Sequence, residues 1–455
     1  MEEIKALLAI SPIDGRFCER TEKFRNYFSE YAYFKYRLLV EIKYLLFLAS
    51  MAKIFTLSNA KMRSILKLIN DFSPKEAEKI KEYESKTGHD VKALEYYLKD
   101  KTGGLLKDKI EFIHFGLTSD DVNNIALSLS LKDAMEQEIF PEIQELLLKL
   151  KKMSISWRRI VIVGRTHGQP AVPTTLGKEI AVFAYRINQE YQNLKRLKIS
   201  GKLNGAVGNF NAHHFAFSKI NWIKFSSDFL KSLGLEPVVI TTQIEGYDHL
   251  IAIFDSLRRI NYILVGMCQD IWYYISINYF LQTIEKERVG SSTMPQKVNP
   301  IDFEQAEGNL TLANSFFEFF ARKLPISRLQ RDLSDSSIRR NIGVAITLCY
   351  LGYESIIKGL SKILPNLTAI KRDLSKNWGI VSEGIQTFLR VKGYPKPYEK
   401  LQSLTRGRRL TKKKFEKCIN NLNIDKKTKL QLKKITPFNY IGLAVRLTSL
   451  ATRDI

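Results

Sequence analysis

The chain is poor in the residues that most readily announce a chemistry. Its 455 residues hold four cysteines and six histidines. The cysteines, Cys18, Cys268, Cys349 and Cys418, lie far apart without CxxC spacing. That excludes the usual cysteine-based zinc motif and fits thiols kept reduced in a cytosol. No two histidines have HExxH spacing, and no carboxylates gather beside a histidine in metal-site order, so no metal is expected. GxxxxGK[ST] and GxGxxG are both missing, which removes nucleotide triphosphatases and dinucleotide enzymes and leaves no cofactor to expect. No run of ~18 uncharged apolar residues occurs; "YRLLVEIKYLLFLASM" is broken by Glu41 and Lys43. The opening "MEEIKALLAIS" is acidic and too short for a secretory signal. A cytoplasmic protein with no membrane partner is the expectation. Strand signals are scarce as well: only "RIVIVG" (159–164) and "EPVVITT" (236–242) read as extended.

Acid is the other shortage. Against 47 Asp and Glu stand 71 Lys and Arg, a net charge of +24, and residues 405–434 alone carry twelve basic side chains against two acids. Such density is the footprint of a nucleic-acid or anionic partner. The segment has a single aromatic, however, so stacking platforms are missing, and no helix-turn-helix or RNA-module signature accompanies it. A solvated, lysine-rich surface is the preferred reading over nucleic-acid binding.

Helix is what the sequence has in quantity. Leu250, Ile253, Leu257, Ile260, Leu264, Met267, Ile271 and Tyr274 alternate spacings of three and four, the seam of a helix packed lengthwise on others. No proline falls between Pro237 and Pro295, so the pattern predicts one helix over about 249–282. Ile342, Ile346, Cys349, Tyr353, Ile356, Leu360 and Ile363 form a second seam. Ile139, Ile143, Leu146 and Leu150 form a third, with a kink expected at Pro141. These stripes are read as core. They predict an all-α protein: a central long-helix bundle over 111–365, a smaller N-terminal helical domain over 1–110 and a basic C-terminal helical domain over 366–455. Wide apolar seams also argue for oligomerisation through the bundle.

Polar motifs lie between the helices. "GRTHGQPAVPTT" (164–175) sets His167 among Thr166, Gln169, Thr174 and Thr175. "TGHDVKALEYYL" (87–98) places His89 and Asp90 at a helix start, where Asp90 is the expected cap. "FGLTSDDVNN" (115–124) puts Thr118, Ser119, Asp120 and Asp121 ahead of an apolar run: either a plain cap or free N–H groups for an anion. "LQRDLSDSSIRRN" (329–341) supplies Arg331, Ser336, Arg339 and Arg340, and arginine forks bind phosphate or carboxylate bidentately. "GSSTMPQKVNP" (290–300) interrupts the helices with two hydroxyls, an amide, a lysine and two prolines.

Together these motifs resemble the adenylosuccinate lyase family of the fumarase/aspartase superfamily. "GSSTMPQKVNP" matches the superfamily signature Ser-Ser-x-Met-Pro-x-Lys-x-Asn-Pro at every fixed position, and "SPIDGRF", "HFGLTSDDVNN", "NGAVGNFNAH", "TTQIE" and "TPFNYIG" look like the same branch. The likeness runs from residue 10 to about 445. It implies β-elimination of fumarate from adenylosuccinate, giving AMP, and from SAICAR, giving AICAR. It further implies Ser291 as the base, with Ser292 the alternative, and His167 as the acid that protonates the leaving nitrogen. Lys297, Asn299, Thr118, Ser119 and Gln243 would hold the succinyl carboxylates. Arg16, His89, Arg331, Ser336 and Arg340 would hold the phosphate and ribose, with Phe17, Gly88, Asp90 and Gln305 completing the substrate side. Purine nucleotides are the implied ligands, and a homotetramer whose sites draw on several subunits the implied assembly. Two positions depart from the pattern: Gln296 stands where many relatives have histidine, and Gln305 replaces an asparagine. Another superfamily lyase, such as argininosuccinate lyase, is the alternative, and a nucleic-acid role for the basic C-terminal region a further one.

Overall fold

A computed structural model describes residues 6–283, 294, 296–406 and 410–455. Ser291, Ser292 and most of the signature segment lie outside the described residues. The helices of eight residues or more are α1 Glu30–Phe47, α2 Asn59–Asn70, α3 Pro74–Thr87, α4 Asp90–Leu106, α5 Ser119–Ala134, α6 Phe140–Trp157, α7 Leu176–Arg196, α8 Trp222–Ser232, α9 Asp248–Ser276, α10 Ile301–Lys323, α11 Ile342–Lys362, α12 Leu367–Lys376, α13 Ser382–Val391, α14 Pro397–Thr405, α15 Lys412–Asn420, α16 Lys426–Lys433 and α17 Ala444–Ala451. Among the described residues three two-stranded pairings accompany them: β1 Val161–Thr166 with β2 Gln169–Thr175, β3 Ser200–Gly201 with β4 Glu236–Pro237, and β5 Phe280–Gln282 with β6 Ile363–Pro365. The all-α expectation holds, and no described helix is long and apolar enough to cross a membrane.

The chain folds into two compact units. Residues 1–142, 192–261 and 309–351 form the first, and 143–191, 262–308 and 352–455 the second. In the first, α1 lies along α5, with Phe34, Leu38, Ile42 and Leu45 in one core with Val122, Ile125, Ala126 and Leu129. Phe47 and Tyr44 of α1 close edge-on over Phe225 and Phe229 of α8. Farther along, Phe254 of α9 stacks on Phe317 of α10 at 5.2 Å, and the buried Asn261 amide donates to Asn314 and to the Cys349 sulfur of α11. In the second unit Tyr274 and Trp157 pack on Phe280, while Trp272 and Gln269 donate to Glu304 and Glu307 of α10.

All three apolar seams are buried: every residue of the Ile342 and Ile139 stripes, and of the Leu250 stripe through Ile271, is at most 3% exposed. Three boundaries differ from expectation. α9 stops at Ser276 rather than about 282, because Asn278 turns left-handed (φ 61°) and the chain leaves to pair as β5. Of the segment 236–242 only Glu236–Pro237 pairs as a strand. Ahead of Pro141 the helix widens into a π-turn, Met135–Ile139, so the disruption sits in the turn that proline deprives of an N–H donor.

Candidate active site

In the first unit, three loops are drawn onto the N-terminal turn of α5. Thr118 caps the helix in a capping box: its own N–H donates to Asp121 Oδ2 at 2.8 Å. Asp121, fully buried, faces the equally buried Lys202 ammonium at 2.9 Å. It also accepts from the backbone N–H groups of Asn204 at 3.0 Å and Gly205 at 3.2 Å. One carboxylate thus caps α5, neutralises a lysine and orders the 204–208 loop. That loop passes so close to the next that a Cβ on Gly208 would lie 2.1 Å from the Thr241 carbonyl, which only glycine permits. Gln243 follows: its side-chain amide donates to Ala206 O at 2.8 Å and its N–H to Gln330 O at 3.2 Å. Next to Gln330 in the chain, Arg331 brings Nη1 to 2.8 Å from Asp120 Oδ1, and Arg339 reaches the same oxygen at 3.0 Å.

α5 carries the network onward. Asn123, one turn after Asp120, accepts from Arg37 Nε at 2.7 Å, and Arg37 Nη2 donates to Asp90 Oδ2 at 2.6 Å. Burial works to raise the Asp90 pKa, but the Arg37 charge and hydrogen bond, helped by Arg340, outweigh it and hold the carboxyl below its ordinary value. Arg340 lies 3.5 Å from Asp90, pairs with Glu30 at 2.8 Å and sits over the Tyr33 ring, as Arg37 does at 3.7 Å. The cap of α4 is His89 rather than Asp90: its Nδ1 accepts from Lys92 N at 3.3 Å, after Gly88 ends α3 left-handed. Thus Thr118, Ser119, Gln243 and Arg331 come together, as do His89, Asp90 and Arg340. Ser336 sits half-buried in the short helix Ser334–Arg339, while Arg16 and Phe17 occupy a turn before Cys18–Thr21 with no hydrogen bond to the other candidates among the described residues.

His213 and His114 belong to the same unit and shift in opposite directions. Tyr44 Oη donates to Phe115 O at 2.8 Å, so it can only accept from His213 Nε2 at 2.9 Å. The remaining ring nitrogen, Nδ1, is buried without a partner among the described residues, within a cage of Phe115, Phe210 and Trp222. Burial pushes this histidine down to about 4, and it is neutral. His114 Nδ1 instead meets Glu41 at 2.5 Å; burial lowers its pKa, yet the charge of Glu41, then Glu95 and Asp121, carries it above its ordinary value.

The second unit holds the other candidates. β1 and β2 form a hairpin whose two turn residues are His167 (φ 53°) and Gly168 (φ 72°), between the paired Thr166 and Gln169. Two successive left-handed residues are the signature of a two-residue primed turn, and the result is an exposed imidazole at a fixed tip. β2 carries Pro170 and Pro173 and did not read as a strand; as one edge of a two-stranded pair it needs few donors. Lys297 and Asn299 follow Met294 into α10, the Lys297 N–H donating to Met294 O at 3.1 Å and Gln282 to Val298 O at 3.0 Å. Gln305 lies half-buried in the second turn of α10. Lys202 was missed; a lone lysine in the apolar, glycine-flanked "ISGKLNG" was the available signal for it.

Comparison with known proteins places this architecture. Fumarate lyase from Mesorhizobium sp. BNC1 superposes with a TM-score of 0.78 at 16% identity, covering 95% of this chain and 98% of that one. The 3-carboxy-cis,cis-muconate lactonizing enzyme of Pseudomonas putida gives 0.75 at 18%, covering 95% and 96%. The chain therefore has the fold that these two enzymes share. A lyase family model matches residues 15–313 and an adenylosuccinate lyase C-terminal model residues 327–441. The chain belongs to the adenylosuccinate lyase family. Adenylosuccinate lyase of Buchnera aphidicola is 46% identical over 98% of this chain and 99% of its own, that of Dictyostelium discoideum 45% over 97% and 98%, and that of Escherichia coli K12 43% over 98% and 99%.

Proposed function

We infer that the protein is a carbon–nitrogen lyase that releases fumarate from adenylosuccinate, giving AMP, and from SAICAR, giving AICAR. The observation that carries this reading is the family likeness over 98% of the chain, with both family models falling in order along it. Such an elimination removes a weakly acidic C–H beside a carboxylate and protonates a departing nitrogen. It needs a base, an acid and fixed donors for the carboxylate charge that builds up.

Ser291 is the base in this proposal; it lies outside the described residues. A serine serves as base only if its alkoxide is stabilised, which Lys297 and a water-poor, closed segment would do. His167 is the acid, a role that its exposed position at a turn of fixed geometry supports. Thr118, Ser119 and Gln243, with Lys297 and Asn299, take the succinyl carboxylates. Arg16, His89, Arg331, Ser336 and Arg340 take the phosphate and ribose, with Phe17, Gly88, Asp90 and Gln305 beside them. Asp121 fixes Thr118 and the 204–208 loop that Gln243 binds, and Asp120 faces Arg331, so donors of both groups are held by buried carboxylates and cost no reorganisation when charge develops.

The working form in this reading is a cytoplasmic homotetramer with sites shared between copies. Large apolar residues left exposed on long helices support it: Tyr262 (53%) and Trp272 (46%) on α9, Leu312 (50%) and Phe319 (45%) on α10. The reaction is tested by the absorbance change on adding adenylosuccinate to wild type, Ser291→Ala and His167→Ala. Both variants are expected to keep their assembly by light scattering and to lose turnover by roughly 10²–10⁴-fold. A near-wild-type rate in either removes that residue's role, and fumarate release from argininosuccinate instead would reassign the substrate.

A further inference from the structure

Two residues before His167, β1 carries a second charged group that the proposed reaction does not use. Arg165 is mostly buried and gives Nη2 to Asp373 Oδ2 at 2.6 Å. The same carboxylate also accepts from Tyr279 Oη at 2.6 Å and from the Asn377 amide at 2.9 Å, so it is fully engaged. Arg165 Nε is buried and has no partner among the described residues. Arg165, Ile277, Tyr279, Arg372, Asp373 and Lys376 line a cavity of about 200 Å³. Arg372 and Lys376 stand one helical turn apart on the exposed side of α12, and no ion pair or side-chain hydrogen bond within the described residues serves either. Three cations therefore surround one cavity against a single, already occupied carboxylate. Like charges four apart on a helix repel, and an unpaired buried donor is costly; one bound anion would relieve both.

We propose that this cavity binds a small oxyanion of the phosphate or four-carbon dicarboxylate class. Arginine forks suit the planar or tetrahedral oxygen sets of either ligand, and Lys376 adds a mobile point charge. The space is below the roughly 300–1,000 Å³ of pockets that enclose drug-sized molecules, so it suits a small anion and is too small to enclose a whole nucleotide. The anion holds Arg165 and α12 together, and through Arg165 it stiffens the strand that ends at His167. Binding here does not depend on the reaction proposed above.

The test is calorimetric titration of the full-length protein with inorganic phosphate, and separately with succinate, at constant ionic strength set by chloride. Wild type, Arg372→Ala/Lys376→Ala, Arg372→Lys/Lys376→Arg and Arg331→Ala are compared. Both α12 positions are exposed, so the double alanine variant is expected to keep the wild-type melting temperature in chloride. It should bind at least one of the two anions tenfold or more weakly, the charge-conserving variant should restore that binding, and Arg331→Ala should retain it. The anion that shows the loss identifies the ligand's shape. Isotherms of the double alanine variant that match wild type in both arms overturn the proposal. So does loss of all binding in Arg331→Ala, or equal displacement by chloride.

Discussion

The loops of the first unit and the hairpin of the second reach the same end, a polar side chain held in one place, by opposite means. Around α5 the means is buried charge: Asp121 with Lys202, and Asp120 with two arginines, tie segments whose residues are remote in sequence. At His167 the means is backbone geometry, a turn with no spare residue, while the side chain itself stands exposed. The first arrangement holds several weak donors in register at once. The second aims one group and leaves it free to meet what arrives.

Breaking the buried pair should have the largest effect on stability. Lys202→Met leaves Asp121 charged in the core, and losing one partner of such a pair costs ~3–5 kcal/mol. Asp121 keeps its backbone donors, which argues for the low end. Urea unfolding measures it, and a loss under about 1 kcal/mol would contradict the role given to the pair.

The two histidines sharpen the contrast through pH. His213 titrates lower in the folded chain, at about 4, than its ordinary 6.5. Its contribution is complete above pH 6.5 and is lost as pH falls through 4, amounting to ~3 kcal/mol. His114, raised by Glu41, runs the other way: its contribution is complete below 6.5 and fades as pH rises through its folded value. In chemical unfolding from pH 7 to 4, His213→Gln, which can still donate to Tyr44, should lose less stability than wild type. Parallel curves for the two proteins would show that His213 is not the titrating group.

The smallest expected effect belongs to the turn. Nothing lies within 4 Å of where a Cβ on Gly168 would sit, so Gly168→Ala pays only for its left-handed backbone, ~1–2 kcal/mol. In steady-state kinetics kcat should fall more than KM changes if His167 is the proposed acid, because it is then mis-aimed while the proposed carboxylate donors are untouched. A change confined to KM would place His167 with substrate binding instead.

The long seams were legible because apolar spacing of three and four is sufficient to state which face is buried; Leu257, Ile346 and Leu150 needed nothing more. Their ends were less legible. Nothing around Asn278 breaks a helix by composition, and α9 yields there because β5 finds a partner 83 residues later, at Ile363–Pro365. The motif residues could be named one by one, but not what holds them. That Asp121 faces Lys202, or that Arg331 and Arg339 share Asp120, depends on pairings across 81 to 219 positions that no local pattern encodes. Similarly, "GNFNAHH" carried no readable role, and His213 proves to be a neutral member of an aromatic core.

The turn at His167 restricts how this enzyme can vary. Surface loops ordinarily absorb insertions and deletions, and binding sites diversify by that route. A hairpin closed by two left-handed residues offers no such freedom, because one residue more or fewer changes the strand register and sends the imidazole to the other face. Alterations in the reach of that side chain must then come from the strands beneath it, whose bulge between Val163 and Arg165 already sets its angle. Length polymorphism should therefore spare residues 166–169 and accumulate elsewhere.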